Sequence, residues 1–160
     1  MNDAGKLVVS AHGEREIVMT RMFAAPRALV FKTYTTAELV RRWLLGPEGW
    51  SMPVCEIDLR VGGRYRFLWR HADGREMGMG GVYREVTAPE RMVSTEVFDQ
   101  PWYKGEGLGT VVFKEHQGKT MLTTTLLYQS QATRDGVLKS PMESGVKASY
   151  DRLAAIVEAA

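Results

Sequence analysis

The spacing of apolar and polar residues along the chain changes from a period of about two to a period of about 3.6 residues. In the middle of the chain Tyr65, Phe67 and Trp69 alternate with neighbours that are mostly arginines. This alternation predicts a β-strand with one buried face. Near the C-terminus, apolar residues instead recur at steps of three and four between positions 142 and 157. That spacing predicts an amphipathic helix.

The alternating pattern predicts a series of strands in the middle of the chain. The expected strands cover residues 54–59, 64–71, 76–86, 91–99, 110–115 and 120–128. Between the second and third of these, Asp73 and Gly74 form the sequence of a tight hairpin turn. Gly78, Gly80 and Gly81 lie inside the third strand, where glycine permits bulges and sharp bends. We therefore expect five or six antiparallel strands in a bent sheet.

The N-terminal third predicts one hairpin and two short helices. The runs at 6–11 and 15–23 have β-type composition and are separated by a turn sequence, which indicates a hairpin. Pro26 suits the first turn of a helix. Thr35 and Glu38 have the spacing of a capping box, which predicts the start of a second short helix.

The C-terminal helix is expected to begin at Ser140. Ser140 and Glu143 have the spacing of a capping box, and Pro141 suits the first helical position. The apolar stripe of this helix consists of Met142, Val146, Tyr150, Leu153 and Val157. Residues 131–139 predict a short helical segment before it. The order of elements predicts an α+β fold, a curved antiparallel β-sheet wrapped around a long C-terminal α-helix, with two short helices after the first strands.

The composition narrows the class of protein. With 160 residues, 44% of them hydrophobic, the chain is expected to form one domain over residues 1–160 with its own core. A net charge of +2, from 21 basic and 19 acidic residues, does not favour a nucleic-acid partner. No apolar run is long enough to span a membrane, and the N-terminus lacks the apolar core of a secretion signal. The lone Cys55 cannot form an internal disulfide, so we expect a cytoplasmic location.

The motifs of common catalytic and cofactor sites do not fit the sequence. Residues 105–109 (GEGLG) superficially resemble a dinucleotide loop, but the glycine spacing differs and a strand follows where a helix is required. The three histidines and Cys55 lack the spacing of metal ligands. A Gly-x-Ser-x-Gly nucleophile elbow does not occur. The sequence therefore predicts no metal, no cofactor and no catalytic residue.

Five short segments resemble, in order, the motifs of one known family. They are residues 23–31 (FAAPRALVF), 42–47 (RWLLGP), 58–65 (DLRVGGRY), 81–91 (GVYREVTAPER) and 150–153 (YDRL). The family is named after the activator of the heat shock protein 90 ATPase and belongs to the START-related, SRPBCC or polyketide-cyclase-like superfamily. The resemblance covers about residues 15–158. The sequence departs from the family pattern at Leu44, Ala88 and Val146.

The resemblance implies a helix-grip fold with a cavity between the sheet and the C-terminal helix. Such a cavity predicts a small hydrophobic ligand, either aromatic or lipid-like. Trp and Tyr side chains suit its walls because they combine an apolar body with a polar tip. The candidate cavity residues are Trp43, Trp50, Tyr65, Phe67, Trp69, Tyr83, Phe98, Trp102, Phe113, Tyr128, Met142 and Val146. A packed core would use some of the same residues, so a filled core stays open as an alternative.

Ionisable residues in the predicted strands limit the chemistry that such a cavity could perform. The candidates are Glu56, Glu96, Arg64, Arg66 and His71. Any of them that faced the cavity would have a perturbed pKa and could act as an acid or a base. We expect them instead on the solvated face of the sheet, because the two arginines alternate with the aromatic residues of the same strand.

Two alternatives to ligand binding stay open, although the sequence leans against an enzyme. A cyclase- or hydrolase-type enzyme would use the same cavity and would need an ionisable residue in its wall. A partner module that activates the heat shock protein 90 ATPase would need an exposed docking face. The chain is expected to be too short for the separate N-terminal domain of full-length activators. A homodimer is also left open, through an exposed edge strand such as residues 6–11 or through the loop at Trp102 and Tyr103.

Overall fold

The computed structural model describes residues 5–100, 103 and 105–160, and these form one curved antiparallel sheet of eight strands with four helices. The strands are β1 (Val8–His12), β2 (Glu16–Phe23), β3 (Trp50–Ile57), β4 (Arg64–His71), β5 (Glu76–Thr87), β6 (Arg91–Phe98), β7 (Gly107–His116) and β8 (Lys119–Leu127). The helices are α1 (Arg27–Thr35), α2 (Ala37–Trp43), α3 (Gln131–Lys139) and α4 (Met142–Glu158). The prediction of an α+β helix-grip fold is confirmed.

The strand order places the N-terminal hairpin beside the last strand. Across the described sheet the strand order is β1-β2-β8-β7-β6-β5-β4-β3. Every pair of neighbouring strands is consecutive in sequence except β2 and β8. Glu16 of β2 pairs with Leu127 of β8, and Phe23 pairs with Thr120. The two edges of the sheet are therefore β1 and β3.

The backbones of β5 and β6 approach closely at Gly81. A Cβ atom added to Gly81 would lie 1.8 Å from the Thr95 carbonyl oxygen and 2.8 Å from the Tyr65 ring. The pairing of β5 with β6 also shifts register between Tyr83 and Glu85. Glycine permits this approach because it has no side chain. The glycines inside β5 thus accompany an irregular, bent part of the sheet.

The helices cover one face of the sheet in two groups. α1 packs against β7 and β8 and α2 against β3, whereas α4 packs against both short helices and against β2. The main core includes the fully buried Trp43, Phe113 and Leu153. A second buried cluster beneath α3 includes Ile17 and Val137. Within the described ranges, no helix is long and apolar enough to cross a lipid bilayer.

Two helix starts differ from the sequence prediction. The hydroxyl of Ser140 donates to the Val137 carbonyl and completes the end of α3, and no side chain caps α4. The predicted capping box of Ser140 and Glu143 is therefore wrong. The predicted box of Thr35 and Glu38 is wrong as well, because Thr35 ends α1 and its hydroxyl donates to the Phe31 carbonyl, while the N-cap of α2 is Thr36. In both places the preceding helix ends so close by that the hydroxyl satisfies its last carbonyls.

Ser149 fixes α4 to the segment that follows α2. Its buried hydroxyl accepts a hydrogen bond from the Gly46 N–H at 2.9 Å. We expect Ser149→Ala to lower the free energy of unfolding by about 1–2 kcal/mol, because this N–H loses its partner. Ser144→Ala, at an exposed position of the same helix, should change it by less than about 0.5 kcal/mol. Urea unfolding compares the two variants, and equal effects would contradict the prediction.

Candidate functional site

A partly enclosed cavity of about 140 Å³ lies between the sheet and the two short helices. Tyr34 of α1 and Trp43 of α2 line it on the helix side. Each strand from β3 to β8 contributes at least one residue to the sheet side. The cavity is thus assembled from most of the fold, and few of its neighbours are close in sequence.

Aromatic rings form much of the cavity wall. The ring centroid of Tyr65 lies 5.0 Å from that of Phe67 and 5.6 Å from that of Tyr83. The rings of Tyr34 and Trp43 are 5.0 Å apart. Such tilted contacts hold aromatic side chains in place. The wall is therefore largely formed before any ligand arrives.

Three polar side chains interrupt this apolar wall. They are Ser94 and Glu96 of β6 and Thr124 of β8. The hydroxyl of Thr124 lies 3.2 Å from that of Tyr150 in α4, and Tyr150 in turn hydrogen-bonds Tyr34. Among the described residues that line the cavity, Glu96 is the single carboxylate.

The helices that cover the cavity differ from the sequence prediction. The C-terminal helix was expected there, but the helical lining residues come from α1 and α2, and α4 packs against both of these helices. α4 also contacts β2, next to the β1 edge of the sheet. Because the C-terminal helix was expected to cover the cavity, sequence reasoning left out Tyr34, which the structure places in the wall.

The structure brings four of the predicted cavity residues together. Trp43, Tyr65, Phe67 and Tyr83 all line the cavity. Trp69 follows on the same face of β4 but is not among the lining residues, and its indole N–H donates to the backbone just after α2. The alternation along β4 therefore predicts the face that carries the cavity residues. The contact of Trp69 with the end of α2 accompanies its position outside the lining.

The other predicted residues lie elsewhere. Phe113 is buried in the main core, and Trp50 and Phe98 are half-buried on β3 and β6. The second cluster, beneath α3, includes or contacts Tyr128, Met142 and Val146. Trp102 lies outside the described residues.

Glu96 faces the cavity, so the expectation that it lies on the solvated face is wrong. It is half-buried and shares its face of β6 with Met92 and Ser94, which also line the cavity. Burial raises the pKa of its carboxyl from 4.5 to about 7, because the charged form loses hydration. Near neutral pH the Glu96 carboxyl is therefore a mixture of its protonated and ionised forms.

Tyrosines surround the Glu96 carboxyl from several elements. Its charge acts on five of them: Tyr34, Tyr65, Tyr103, Tyr128 and Tyr150. Loss of hydration on burial is the main cause that raises the pKa of each, and the negative charge of Glu96 raises it further. These hydroxyls are therefore neutral at neutral pH.

The sequence feature that could have indicated the position of Glu96 is the pair of glycines, Gly107 and Gly109, on the neighbouring strand β7. Glu96 pairs with Gly107, and Ser94 pairs with Gly109. A Cβ atom added to Gly109 would lie 3.3 Å from Glu96 Oε2. The glycines that superficially resemble a dinucleotide loop therefore leave room for the Glu96 side chain.

A larger and more open groove, of about 380 Å³, lies on the opposite face of the same strands. Besides apolar residues such as Leu108, it is lined by Arg15, Arg84 and Glu106. Arg84 and Glu106 approach within 3.8 Å as an ion pair. Charges of both signs on an open surface suit an apolar ligand less well than the enclosed cavity does.

The fold resembles those of several solved proteins. A protein from Rhodobacter sphaeroides is 26% identical with a TM-score of 0.90, over 96% of this chain and 99% of that one. A protein from Chromobacterium violaceum is 26% identical with a TM-score of 0.78, over 90% of this chain and 97% of that one. An Hsp90 activator from Plasmodium falciparum, 20% identical with a TM-score of 0.65 over 90% and 96% of the two chains, shares the fold. No curated protein sequence matches the chain.

A family model covers most of the sequence. The model for "Activator of Hsp90 ATPase homolog 1-like protein" matches residues 24–158. This range begins just after β2 and runs to the end of α4, and it contains nearly all of the segments on which the sequence resemblance was based. The resemblance is confirmed, and the chain belongs to the family of Activator of Hsp90 ATPase homolog 1-like proteins.

Proposed function

We propose that this protein binds a small, ring-sized hydrophobic molecule in the cavity between the sheet, α1 and α2. The observation that carries the proposal is the cavity itself, whose walls are mostly aromatic and aliphatic. A concave wall of this kind favours an apolar ligand, which is held mainly by the removal of its surface from water. Contacts between the wall rings support a site that needs little rearrangement.

The volume of the cavity limits the size of the ligand. Pockets for drug-sized molecules begin at about 300 Å³, whereas an apolar cavity of about 150 Å³ accommodates benzene. A cavity of about 140 Å³ therefore suits a single ring and is too small for a lipid chain. Of the two ligand classes expected from the sequence, the aromatic class is favoured.

An enzymatic alternative would use Glu96 as its ionisable wall residue. Acid–base catalysis also needs a second group that protonates or holds the reacting atom. Two of the nearby hydroxyls already bond other protein groups: Tyr65 donates to the Thr95 carbonyl at 2.6 Å, and Tyr150 pairs with Thr124. The geometry therefore supports binding better than catalysis.

A chaperone-partner role would need an exposed docking face. The large apolar residues that are exposed in the described part of the chain come from β1, β5, β6 and the turn after β3. They are Val8, Val61, Met77 and Val97. Because β1 and β5 are far apart in the strand order, these residues do not favour one continuous apolar face.

Filling the cavity should abolish the binding of a ring-sized probe. Val111 is buried and lines the cavity, so the larger side chain of Val111→Phe takes up its volume. Val112 alternates to the other face of β7, and Val112→Phe is the matched control. We expect wild type and Val112→Phe to bind para-fluorotoluene and Val111→Phe not to bind it. Fluorine NMR of the probe measures binding, and circular dichroism checks that both variants are folded.

Loss of binding in Val111→Phe alone would support the cavity as the site. Unchanged binding in that variant would overturn it. Palmitate, as a lipid-like competitor, should not displace para-fluorotoluene from the wild type. Displacement at comparable concentration would contradict the single-ring size limit.

A further inference from the structure

Glu96 is the one carboxylate among the described residues of a mostly apolar cavity wall. Across residues 5–100, 103 and 105–160, no Lys, Arg or His side chain forms an ion pair with it. A charged carboxylate in such surroundings is costly unless it is paired. Among the described residues no cation pairs with Glu96, and a cationic ligand would supply such a partner.

The backbone leaves space beside this carboxylate. The two nearest positions on β7 are Gly107, which pairs with Glu96, and Gly109. An added Cβ atom would lie 3.8 Å from Glu96 Cβ at Gly107 and 3.3 Å from Glu96 Oε2 at Gly109. A side chain at Gly109 would therefore crowd the carboxylate, whereas one at Gly107 would meet Glu96 at ordinary contact distance. The lack of a side chain at Gly109 therefore leaves space beside the cavity carboxylate.

Aromatic faces lie in the same wall as the carboxylate. Tyr34, Tyr65 and Tyr83 all line the cavity with Glu96. An organic ammonium ion is attracted by the negative faces of aromatic rings and forms strong, charge-assisted hydrogen bonds with a carboxylate. The wall thus combines the two kinds of group that recognise such an ion.

We propose that the cavity binds a ring-sized organic amine as its ammonium ion, with Glu96 as the counter-ion and the rings of Tyr34, Tyr65 and Tyr83 around it. This inference rests on the proposed function and specifies the chemical class of the ligand. The ring of the amine fills the apolar part of the cavity, and its nitrogen donates to the Glu96 carboxylate. A hydrocarbon of the same size gains the burial of its ring but not the ion pair.

The affinity for an amine should depend on pH, because Glu96 must be ionised. The titratable groups that face Glu96 are Tyr34, Tyr65, Tyr103, Tyr128 and Tyr150, all with raised pKa. They stay neutral between about pH 5.5 and pH 8, so Glu96 is the group that changes charge. With a pKa of about 7, its carboxyl is mostly protonated at the lower pH and mostly ionised at the higher.

The test compares para-fluorobenzylamine with para-fluorotoluene by fluorine NMR at about pH 5.5 and pH 8. At pH 8 the wild type should bind the amine about tenfold or more tightly than the hydrocarbon. At pH 5.5 this advantage should disappear, while binding of the hydrocarbon stays the same. Glu96→Gln keeps the shape of the side chain and should bind both probes alike at both pH values. Glu56→Gln, at an exposed position of β3, should behave as the wild type.

Each outcome decides between the two proposals. A pH-dependent preference for the amine that Glu96→Gln removes would support the inference. Equal binding of the two probes by the wild type at pH 8, or an amine preference that survives in Glu96→Gln, would overturn the inference and leave the proposed function standing. Failure to bind either probe would overturn both.

Discussion

Glu96→Gln is expected to raise the free energy of unfolding at pH 8 by about 3 kcal/mol. Burial raises the pKa of the Glu96 carboxyl from 4.5 to about 7, and each pKa unit corresponds to about 1.4 kcal/mol. At pH 8 the folded wild type holds an ionised carboxylate in an apolar wall, whereas the unfolded chain exposes it to water. Glutamine resembles the protonated form and avoids this cost.

The raised pKa of Glu96 determines the pH range over which the stabilities of Glu96→Gln and the wild type differ. Between about pH 4.5 and pH 7, folded Glu96 binds more protons than unfolded Glu96, so the stability of the wild type falls as the pH rises. The difference between Glu96→Gln and the wild type should therefore vanish near pH 4.5 and be complete by pH 8. Urea unfolding at both pH values measures it, with the exposed Glu56→Gln as control. Parallel pH dependences of Glu96→Gln and the wild type would show that the carboxyl is solvated.

Gly81→Ala is expected to lower the free energy of unfolding by about 3 kcal/mol or more. The added methyl group would lie 1.8 Å from the Thr95 carbonyl oxygen and 2.8 Å from the Tyr65 ring. Neither the backbone of β6 nor a packed ring can yield as a flexible side chain can, so the strands must separate. Because Tyr65 lines the cavity, the binding of ring-sized probes should weaken as well.

The matched control for this substitution is Gly136→Ala in α3. Gly136 is exposed, and a Cβ atom added there would meet nothing within 4 Å. Alanine is the better helix former, so this variant should be more stable than the wild type by about 0.5–1 kcal/mol. Thermal and urea unfolding of both variants measure the contrast. A loss below about 1 kcal/mol in Gly81→Ala would contradict the close approach of β5 and β6.

β4 and β3 show what the apolar pattern can and cannot predict. The strand predicted at 64–71 coincides with β4, because its two faces differ clearly in polarity. β3 begins at Trp50, four residues before its predicted start at 54. Pro53 lies in this part, and proline argues against a central strand. β3 is an edge strand whose register shifts between Ser51 and Val54, a place where proline is tolerated.

β6 shows why the sequence placed Glu96 on the wrong side. The face of β6 that lines the cavity carries Met92, Ser94 and Glu96. The intervening positions are Val93, Thr95 and Val97. Alternation assigns the more apolar set to the core and therefore directs Glu96 to solvent. The deciding contact is the pairing with the glycines of β7, which depends on the tertiary fold and not on the pattern within β6.

The contribution of β8 makes the cavity a late product of folding, and the same strand must also pair with β2. β3 to β7 lie between β2 and β8 in sequence. Such non-local pairings form slowly, because the chain loses conformational entropy before it gains the contacts. During synthesis from the N-terminus, β2 leaves the ribosome long before Lys119–Leu127 can join it. Until then the β1–β2 hairpin presents an unpaired strand edge that other chains can recruit. A nascent chain that lacks β8 therefore has no complete binding site and carries an exposed β2 edge.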